Sequence, residues 1–194
     1  MADLLSKSNT KLGKIAGFAI STKSCSKYSG MKHQGCKEYC YAKKFERLRR
    51  LVNAKWKANL AATKGADFVD RMCEEVKWVG DFIRVHVAGD FYSQEYFNKW
   101  VEIAKRFPHK NFLVYTKNID LDYSQRPANF RVILSDDKLI WSRVHKMFDG
   151  VATMVNPGMM PSFWYTCPYV KKHTTCAECL HCFYDDTRVY FIKH

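Results

Sequence analysis

The stretch Phe82-Ile-Arg-Val-His-Val-Ala-Gly-Asp90 decides the fold class, because β-branched residues alternate in it with basic or small ones. Such alternation is typical of a strand with one face packed under helices. Ser93 then caps a predicted helix that runs to Phe107. A further apolar strand is predicted at 111–117. A strand, a helix and a strand in this order indicate a parallel β-α-β unit.

The same rhythm extends along the chain on both sides of this unit. Strands are predicted at 14–20, 131–135, 151–155 and 188–192, helices from Lys43 and over 67–78, and a long surface excursion at 118–129. The predicted buried stripe of the helix from Lys43 consists of Phe45, Leu48, Val52, Trp56 and Leu60. Parallel connections are right-handed. We therefore expect an α/β fold: a small partial (β/α) TIM-like barrel of parallel strands, with cysteine-rich loops at both ends of the chain.

Length and composition fit a single domain over residues 1–194. The chain has a mass of 22.7 kDa and 47% hydrophobic residues, which excludes wholesale disorder. No apolar run approaches the roughly 20 residues of a membrane helix, and the features of a signal peptide are lacking. We expect a soluble cytoplasmic protein with no membrane partner. In that reducing compartment, eight cysteines indicate metal binding or catalysis rather than disulfides.

The clearest chemical signal lies in the C-terminal cysteine-rich segment 163–184. Cys176, Cys179 and Cys182 follow one another at every third residue, which brings three thiolates around one turn. Cys167, which precedes a proline, adds a fourth ligand from upstream, as a Cys-Pro pair does in bacterial ferredoxins. This set suits a [4Fe–4S] cluster.

Zinc is the alternative metal for this segment. His173 and His181 could join the thiolates in a tetrahedral zinc site. Cys73 stands apart from the other cysteines inside the predicted helix 67–78, where we expect a buried, unreactive thiol.

A second cysteine group lies in the predicted loop 21–42. Cys25, Cys36 and Cys40 are separated by ten and by three residues. Three thiolates leave one metal position open, and a cluster with an open iron can bind a ligand. We expect either a second cluster here or, if only Cys36 and Cys40 are ligands, a single site shared with the C-terminal group.

Positive charge is concentrated near the N-terminus. Lys and Arg exceed Asp and Glu by 13 over the whole chain and by 11 over residues 1–60. The basic face around Lys43–Lys57 is therefore a candidate surface for nucleic acid or a host protein, with Arg47, Arg49 and Arg50 as suggested contacts. A solvated helix face is the alternative interpretation.

The opening stretch also supplies candidate site residues. Alternation puts Arg84, His86 and Asp90 on one face of the strand, which in a barrel is the lumen. Tyr115 and Lys117 of the next predicted strand could line the same lumen.

These motifs resemble those of the radical SAM superfamily, partial TIM barrels with a three-cysteine cluster loop after the first strand. The resemblance implies that Cys25, Cys36 and Cys40 hold a [4Fe–4S] cluster whose free iron binds S-adenosylmethionine. It implies that Gly89 and Asp90 orient that cofactor, as a Gly-Gly-Glu-type motif does, and that the C-terminal cysteines hold an auxiliary cluster. The cysteine spacing here is longer than the superfamily's Cys-x3-Cys-x2-Cys, and Asp90 stands where glutamate is usual.

More narrowly, the chain resembles the phage gene product 88 family over nearly its whole length. The resemblance rests on Cys-Tyr-Ala at 40–42, His86-Val-Ala-Gly-Asp-Phe91, Tyr115-Thr-Lys117 and the C-terminal cysteine pattern. Membership implies a viral origin, and hence the host cytoplasm, but brings no assigned reaction.

Three functions follow as hypotheses. The first is an iron–sulfur enzyme of radical-SAM-like type with an unknown reaction. The second is a non-enzymatic iron–sulfur module with a redox, regulatory or binding role on the same scaffold. The third is a zinc-stapled nucleic-acid-binding protein.

Overall fold

The computed structural model describes residues 3–25, 40–135, 145–155, 164–184 and 187–192. The elements in chain order are β1 (Ala16–Gly17), a 3₁₀ turn (Thr22–Ser24), α1 (Tyr41–Leu48), α2 (Arg50–Ala62), α3 (Phe68–Lys77), β2 (Phe82–Val85), α4 (Gln94–Arg106), β3 (Asn111–Thr116), β4 (Phe130–Ser135), a 3₁₀ turn (His145–Met147), β5 (Gly150–Val155), β6 (Tyr165–Thr166), α5 (Tyr169–Lys172), α6 (Cys176–Cys179), α7 (His181–Tyr184) and β7 (Thr187–Ile192). None of these helices is long and apolar enough to cross a membrane.

A parallel sheet organises the molecule, as the sequence predicted. Its seven strands run in the order β1-β2-β3-β4-β5-β7-β6, and all of their pairings are parallel. From β1 to β5 each strand lies beside the next one in the chain. Within the described residues the sheet is open, with β1 and β6 at its edges, so the α/β class is confirmed and a closed barrel is not formed.

The two faces of the sheet carry different cores. Helices α3 and α4 cover one face, where the fully buried Phe68, Met72, Phe97 and Trp100 pack against the strands. The other face is covered by the turn at Leu12 and by the segment that contains α6 and α7. The cysteine-rich segment, predicted as a loop, therefore contains β6 and three short helices instead.

Helices α3 and α4 are confirmed close to their predicted bounds. The Oγ of Ser93 accepts a hydrogen bond from the backbone N–H of Tyr96 at 3.2 Å, as expected of a helix cap. The predicted excursion 118–129 holds no helix or strand, but it is not wholly on the surface. Tyr123 is buried, and its hydroxyl donates to the Asn118 carbonyl oxygen at 2.6 Å.

The single helix predicted from Lys43 is wrong. Arg49 has an extended backbone (φ −119°, ψ 99°), which ends α1 and starts α2 one residue later. The break shifts the phase of the helical repeat, so the apolar residues of α1 do not continue the stripe of α2. Two residues of the predicted buried stripe are therefore exposed instead, Phe45 at 39% and Leu48 at 63%.

The prediction that Arg84, His86 and Asp90 share one face is also wrong. Strand β2 ends at Val85, and His86 adopts a left-handed backbone with φ 59°, which breaks the alternation. The His86 ring therefore packs among Phe18, Phe91 and other side chains of the helix-covered core. Arg84 lies on the opposite face.

Candidate functional site

The four C-terminal cysteines line one pocket on the sheet face opposite α3 and α4. The pocket has a cavity volume of about 40 Å³, opens partly to solvent, and is bounded by the strands β2 and β3 on one side. Its lining includes Cys167, Cys176, Cys179 and Cys182. The sequence predicted that Cys167 would join the other three, and the structure brings all four to this pocket.

Backbone hydrogen bonds hold the cysteine-bearing segment in place. The N–H of Cys176 donates to the Lys11 carbonyl oxygen at 2.8 Å, and the N–H of Cys167 donates to the Tyr190 carbonyl oxygen at 3.1 Å. Gly13 permits this close approach, because a Cβ there would lie 2.9 Å from Thr175 Oγ1 and its φ is +66°. The pocket therefore depends on the N-terminal turn as well as on the cysteine segment.

Local turns set the direction of the thiols. Thr175 and Glu178 form a capping box at the start of α6, with the Thr175 N–H donating to Glu178 Oε2 at 2.7 Å. Leu180 ends that helix in the left-handed region at φ 50°. The chain reverses there, so Cys182 on α7 reaches the same pocket as Cys176 and Cys179.

Two tyrosines make hydrogen bonds to the sulfurs. The Tyr165 hydroxyl lies 3.4 Å from the Sγ of Cys179, and the Tyr115 hydroxyl is hydrogen-bonded to the thiol of Cys182. The guanidinium of Arg84 stacks 4.0 Å above the Tyr115 ring. Its buried Nε has no hydrogen-bond partner among the described residues.

Burial raises the pKa of two of the four pocket thiols, Cys176 and Cys182. It raises the pKa of Cys182 to about 11, although the Tyr115 hydrogen bond and the Arg84 charge both act to lower that pKa. Burial also raises the pKa of Cys176, while Arg84 and Lys11 act in the opposite direction. The thiols of Cys176 and Cys182 are therefore protonated at neutral pH, and a metal that binds them has to displace the protons.

The arrangement of the thiols bears on the kind of metal they could hold. Among the residues that the structure describes, no three His, Cys, Asp or Glu side chains converge on the position of a single metal ion. Tetrahedral zinc, with Zn–S bonds of about 2.3 Å, draws its four ligands close together. A [4Fe–4S] cluster also takes four cysteine ligands, one on each of its irons, so four thiols as a donor set suit either metal group.

Cys25 and Cys40 lie beside the turn that follows β2. Cys25 ends the 3₁₀ turn, and Cys40 caps α1 by accepting a hydrogen bond from the Lys43 N–H at 3.4 Å. Cys40 and Val87 both pack against the small buried cluster of Ala19, Ala42 and Ala88, and Val87 also packs against the core cluster on the pocket side of the sheet. Cys36 falls outside the described residues. Cys40 is not part of the lining of the C-terminal pocket.

Gly89 and Asp90 fasten this turn to its surroundings. Gly89 has φ +85°, and a Cβ there would meet Ile20 and would lie 2.8 Å from Ser24 Oγ. The Asp90 carboxylate accepts hydrogen bonds from Thr116 Oγ1 at 2.6 Å and from the Lys117 N–H at 2.9 Å. Burial raises the pKa of Asp90 to about 6. The turn thereby joins the carboxyl ends of β2 and β3 to the N-terminal cysteine region.

Sequence reasoning missed several residues at the C-terminal pocket. Lys11, Leu12 and Tyr165 line it, and nothing in their local sequence signals that role apart from the position of Tyr165 two residues before Cys167. Of the predicted lumen residues, Arg84 and Tyr115 line the pocket. The Lys117 ammonium instead donates to the Ser135 carbonyl oxygen at 2.9 Å.

Comparison with known proteins identifies the family. Residues 3–156 match the family model described as Gene product 88. The chain belongs to the Gene product 88 family.

Two phage proteins illustrate this family relationship. The chain is 28% identical to the Gene 88 protein of Mycobacterium phage D29, over 50% of this chain and 51% of that protein. It is also 28% identical to the Gene 88 protein of Mycobacterium phage L5, over 53% of this chain and 49% of that protein. The chain thus spans about half the length of these relatives. No solved structure matches it.

The Gene product 88 match divides the two cysteine groups. Cys25, Cys36, Cys40 and the turn at Gly89 and Asp90 lie within the matched residues, whereas the pocket cysteines 167–182 lie beyond residue 156. The part of the chain that matches the family model therefore contains strands β1 to β5, helices α1 to α4 and the N-terminal cysteine group.

Proposed function

We propose that this member of the Gene product 88 family is an iron–sulfur protein whose Cys167, Cys176, Cys179 and Cys182 bind one [4Fe–4S] cluster. The observation that carries the proposal is that these four half-buried thiols line one pocket, although Cys167 comes from a different element than the other three. A cubane cluster needs four such ligands. Their partly enclosed setting suits a cofactor that has to be shielded from solvent.

The surroundings of the thiols support a metal group held by four thiolates. Four thiolates around a cluster carry negative charge, and Arg84 and Lys11 supply positive charge beside Cys176. Hydrogen bonds from Tyr165 and Tyr115 to two of the sulfurs are the kind of outer contacts that stabilise ligated thiolates and adjust the potential of a cluster. His181 stacks on Tyr165 at 3.8 Å.

The fold fits this role as a scaffold. We propose that the arc of strands from β1 to β5 is a partial (β/α) barrel, with the cysteine segment packed on the face that a closed barrel would turn inwards. This packing supports placing the cluster against β2 and β3. Free thiol ligands persist in a reducing compartment, so the proposed location is the host cytoplasm.

Spectroscopy of the anaerobically purified protein tests the proposal. We expect a brown protein with broad iron–sulfur absorption and an electron paramagnetic resonance signal after reduction. The double variant Cys176→Ala/Cys179→Ala should lose the part of these signals that belongs to the C-terminal cluster. Cys73→Ser is the matched control, because Cys73 is a buried thiol in α3 far from the pocket in sequence. A colourless wild-type protein, or equal loss in the control, would refute the proposal.

A second candidate function is a radical-SAM-like reaction at the N-terminal cysteines. One observation favours it: Cys25 and Cys40 lie beside the turn that contains Gly89 and Asp90. The backbone N–H of Asp90 donates to Ser24 Oγ at 3.1 Å, next to Cys25, and the Tyr41 hydroxyl donates to the Val87 carbonyl oxygen next to Cys40. We propose that Cys25, Cys36 and Cys40 hold a second cluster with an open iron.

In this second proposal the turn shapes the cofactor position. Bound S-adenosylmethionine would supply, on one-electron reduction, a 5′-deoxyadenosyl radical. Asp90 already accepts hydrogen bonds from three described groups, so we assign it to holding the turn that would orient the cofactor.

Incubation with S-adenosylmethionine and a strong reductant tests the second candidate. Formation of 5′-deoxyadenosine that is lost in Cys36→Ala would support it. An iron-replete protein that yields none would leave a non-enzymatic redox or regulatory iron–sulfur module. A Cys73→Ser control should match the wild-type protein in either case.

A further inference from the structure

Helix α1 presents a row of exposed aromatic and basic side chains. Tyr41, Phe45 and Arg49 recur at every fourth residue and so lie along one side of the helix. The Tyr41 ring is 59% exposed and Phe45 is 39% exposed. We call these three residues the α1 ladder.

Internal contacts keep the ladder in a fixed arrangement. The Tyr41 hydroxyl donates to the Val87 carbonyl oxygen, so the exposed ring is anchored at its far end. The Tyr41 and Phe45 rings meet edge to face, with centroids 6.4 Å apart. The guanidinium carbon of Arg49 lies 4.8 Å from the centre of the Phe45 ring. A flat surface with little rotational freedom is thus offered to a partner.

Uncompensated positive charge surrounds the ladder. The basic residues on or beside α1 are all exposed, and within the described ranges none of them forms an ion pair: Lys43, Lys44, Arg47, Arg49 and Arg50. Glu46 is the one acidic residue between positions 41 and 57. Its Oε2 accepts hydrogen bonds from the Thr22 N–H, at 3.2 Å, and from the Thr22 hydroxyl.

We propose that the α1 ladder and the basic residues around it bind single-stranded nucleic acid. Anchored aromatic rings beside exposed cations are what such a strand requires, because bases stack on the rings while phosphates pair with Lys and Arg. Tyr41 provides the stacking face, Phe45 supports it from the side, and Arg47 and Arg50 contact phosphates. The proposal does not depend on the cluster at the C-terminal pocket.

Charge complementarity selects this partner over the alternatives. An amphipathic helix that lies on a membrane needs a broad apolar face opposite its charges, whereas α1 has only eight residues and exposes three large apolar side chains, Tyr41, Phe45 and Leu48. A duplex would hide the base faces that the Tyr41 ring can stack on. Single-stranded DNA and RNA share the chemistry required, so the experiment compares them.

Fluorescence anisotropy with labelled single-stranded DNA, single-stranded RNA, duplex DNA and anionic phospholipid vesicles tests the proposal on the full chain. We expect binding to one or both single strands, weaker binding to the duplex, and a steep loss of affinity with salt. Removing two phosphate contacts with Arg47→Gln/Arg50→Gln should reduce the slope of log affinity against log salt by about 1.4. Lys64→Gln/Lys105→Gln removes the same charge elsewhere and should leave the slope unchanged.

Substitution of Tyr41 tests whether base stacking, and not charge alone, contributes to the affinity for single-stranded nucleic acid. Tyr41→Ala should weaken binding roughly 5- to 150-fold through loss of base stacking. Tyr41→Phe keeps the ring and its contact with Phe45 and loses only the hydrogen bond to Val87, so it should retain more affinity than Tyr41→Ala. Equal losses in the two variants would show that the hydroxyl contact, and not the ring, supports binding. Circular dichroism checks that both variants fold.

Three results would overturn the proposal. One is no binding to either single strand at low salt. Another is an equal reduction of the salt slope by the control pair. The third is binding to vesicles without binding to oligonucleotides, which would identify α1 as a membrane-surface helix.

Discussion

The two cysteine groups differ in how their ligands are held. At the C-terminal pocket, the chain on both sides of the thiols is fixed by hydrogen bonds to Lys11 and Tyr190, and all four cysteines lie in described residues. At the N-terminal group, Cys25 and Cys40 are fixed against one turn, while the third cysteine lies on the chain between them. The four C-terminal cysteines line a pocket that the fold forms, whereas Cys25 and Cys40 are held at the two ends of a longer stretch of sequence.

The two cysteine groups therefore depend on different parts of the fold. The C-terminal pocket depends on elements far apart in sequence, namely the turn at Leu12, strands β2 and β3, and strand β7. The N-terminal group depends on the local turn at Val87–Asp90. If the two groups are independent sites, damage to one should leave the other intact, and the predictions below test that.

The largest expected effect is the loss of the proposed N-terminal cluster in the double variant Cys25→Ser/Cys40→Ser. If the groups are separate, this variant should keep the full iron content of the C-terminal pocket, because Cys40 is not among the residues that line it. Iron per chain is measured after anaerobic reconstitution. Loss of all iron would instead indicate one cluster shared between the two groups.

Gly89→Ala should destabilise the turn at Val87–Asp90, on which the N-terminal cysteine group depends. The positive φ of +85° and the overlap of a Cβ with Ile20 and Ser24 should together lower the free energy of unfolding by about 1–3 kcal/mol. Gly80→Ala is the matched control, because a Cβ at Gly80 meets nothing within 4 Å. Urea unfolding of both variants gives the values, and equal stabilities would contradict the close packing described for the turn.

Asp90→Asn should change how stability depends on pH. Burial raises the pKa of Asp90 from 3.8 to about 6, so its contribution to stability is present below pH 4 and is lost as the pH rises to about 6. Burial, and after it the Arg84 charge, lowers the pKa of His86 from 6.5 to about 3, so its contribution is lost as the pH falls through that range. The two contributions oppose each other between about pH 4 and pH 6.

Of these two contributions to the pH dependence of stability, only that of His86 remains when Asn replaces Asp90. The free energy of unfolding of Asp90→Asn should therefore rise more steeply between pH 4 and pH 6 than that of the wild-type protein, by about 1 kcal/mol per pH unit. Urea titrations at several pH values measure the slopes. Parallel slopes for the two proteins would show that Asp90 does not titrate in this window.

The smallest expected effect concerns the hydrogen bond to Cys179. Tyr165→Phe removes a donor to that sulfur, which should lower the reduction potential of the C-terminal cluster by roughly 20–60 mV. Potentiometric titration gives the value. Tyr184→Phe, an exposed tyrosine of the neighbouring helix α7, is the control and should leave the potential unchanged.

Local patterns in the sequence predicted much of the fold. The amphipathic repeats of α3 and α4 and the apolar runs of β3, β4, β5 and β7 each carry a signal within a few residues, and their parallel arrangement follows from their order. The left-handed backbone at His86 and the break at Arg49 carry no such signal, because histidine and arginine are compatible with a strand or a helix. These two positions account for the wrong face and the wrong helix.

The candidate site was predictable to the extent that its residues are close in sequence. The every-third-residue spacing of Cys176, Cys179 and Cys182 is a local motif, and Cys167 followed from its proline. The contribution of Lys11 and Leu12 depends on a contact across more than 160 residues, which no local pattern records. The hydrogen bonds from Tyr115 and Tyr165 likewise follow from tertiary packing.

The iron and acid-labile sulfide content of the anaerobically purified wild-type protein tests the central claim most directly. We expect equal amounts of iron and sulfide, about four of each per chain for each cluster bound. Zinc bound in place of iron, or iron without sulfide, would contradict it.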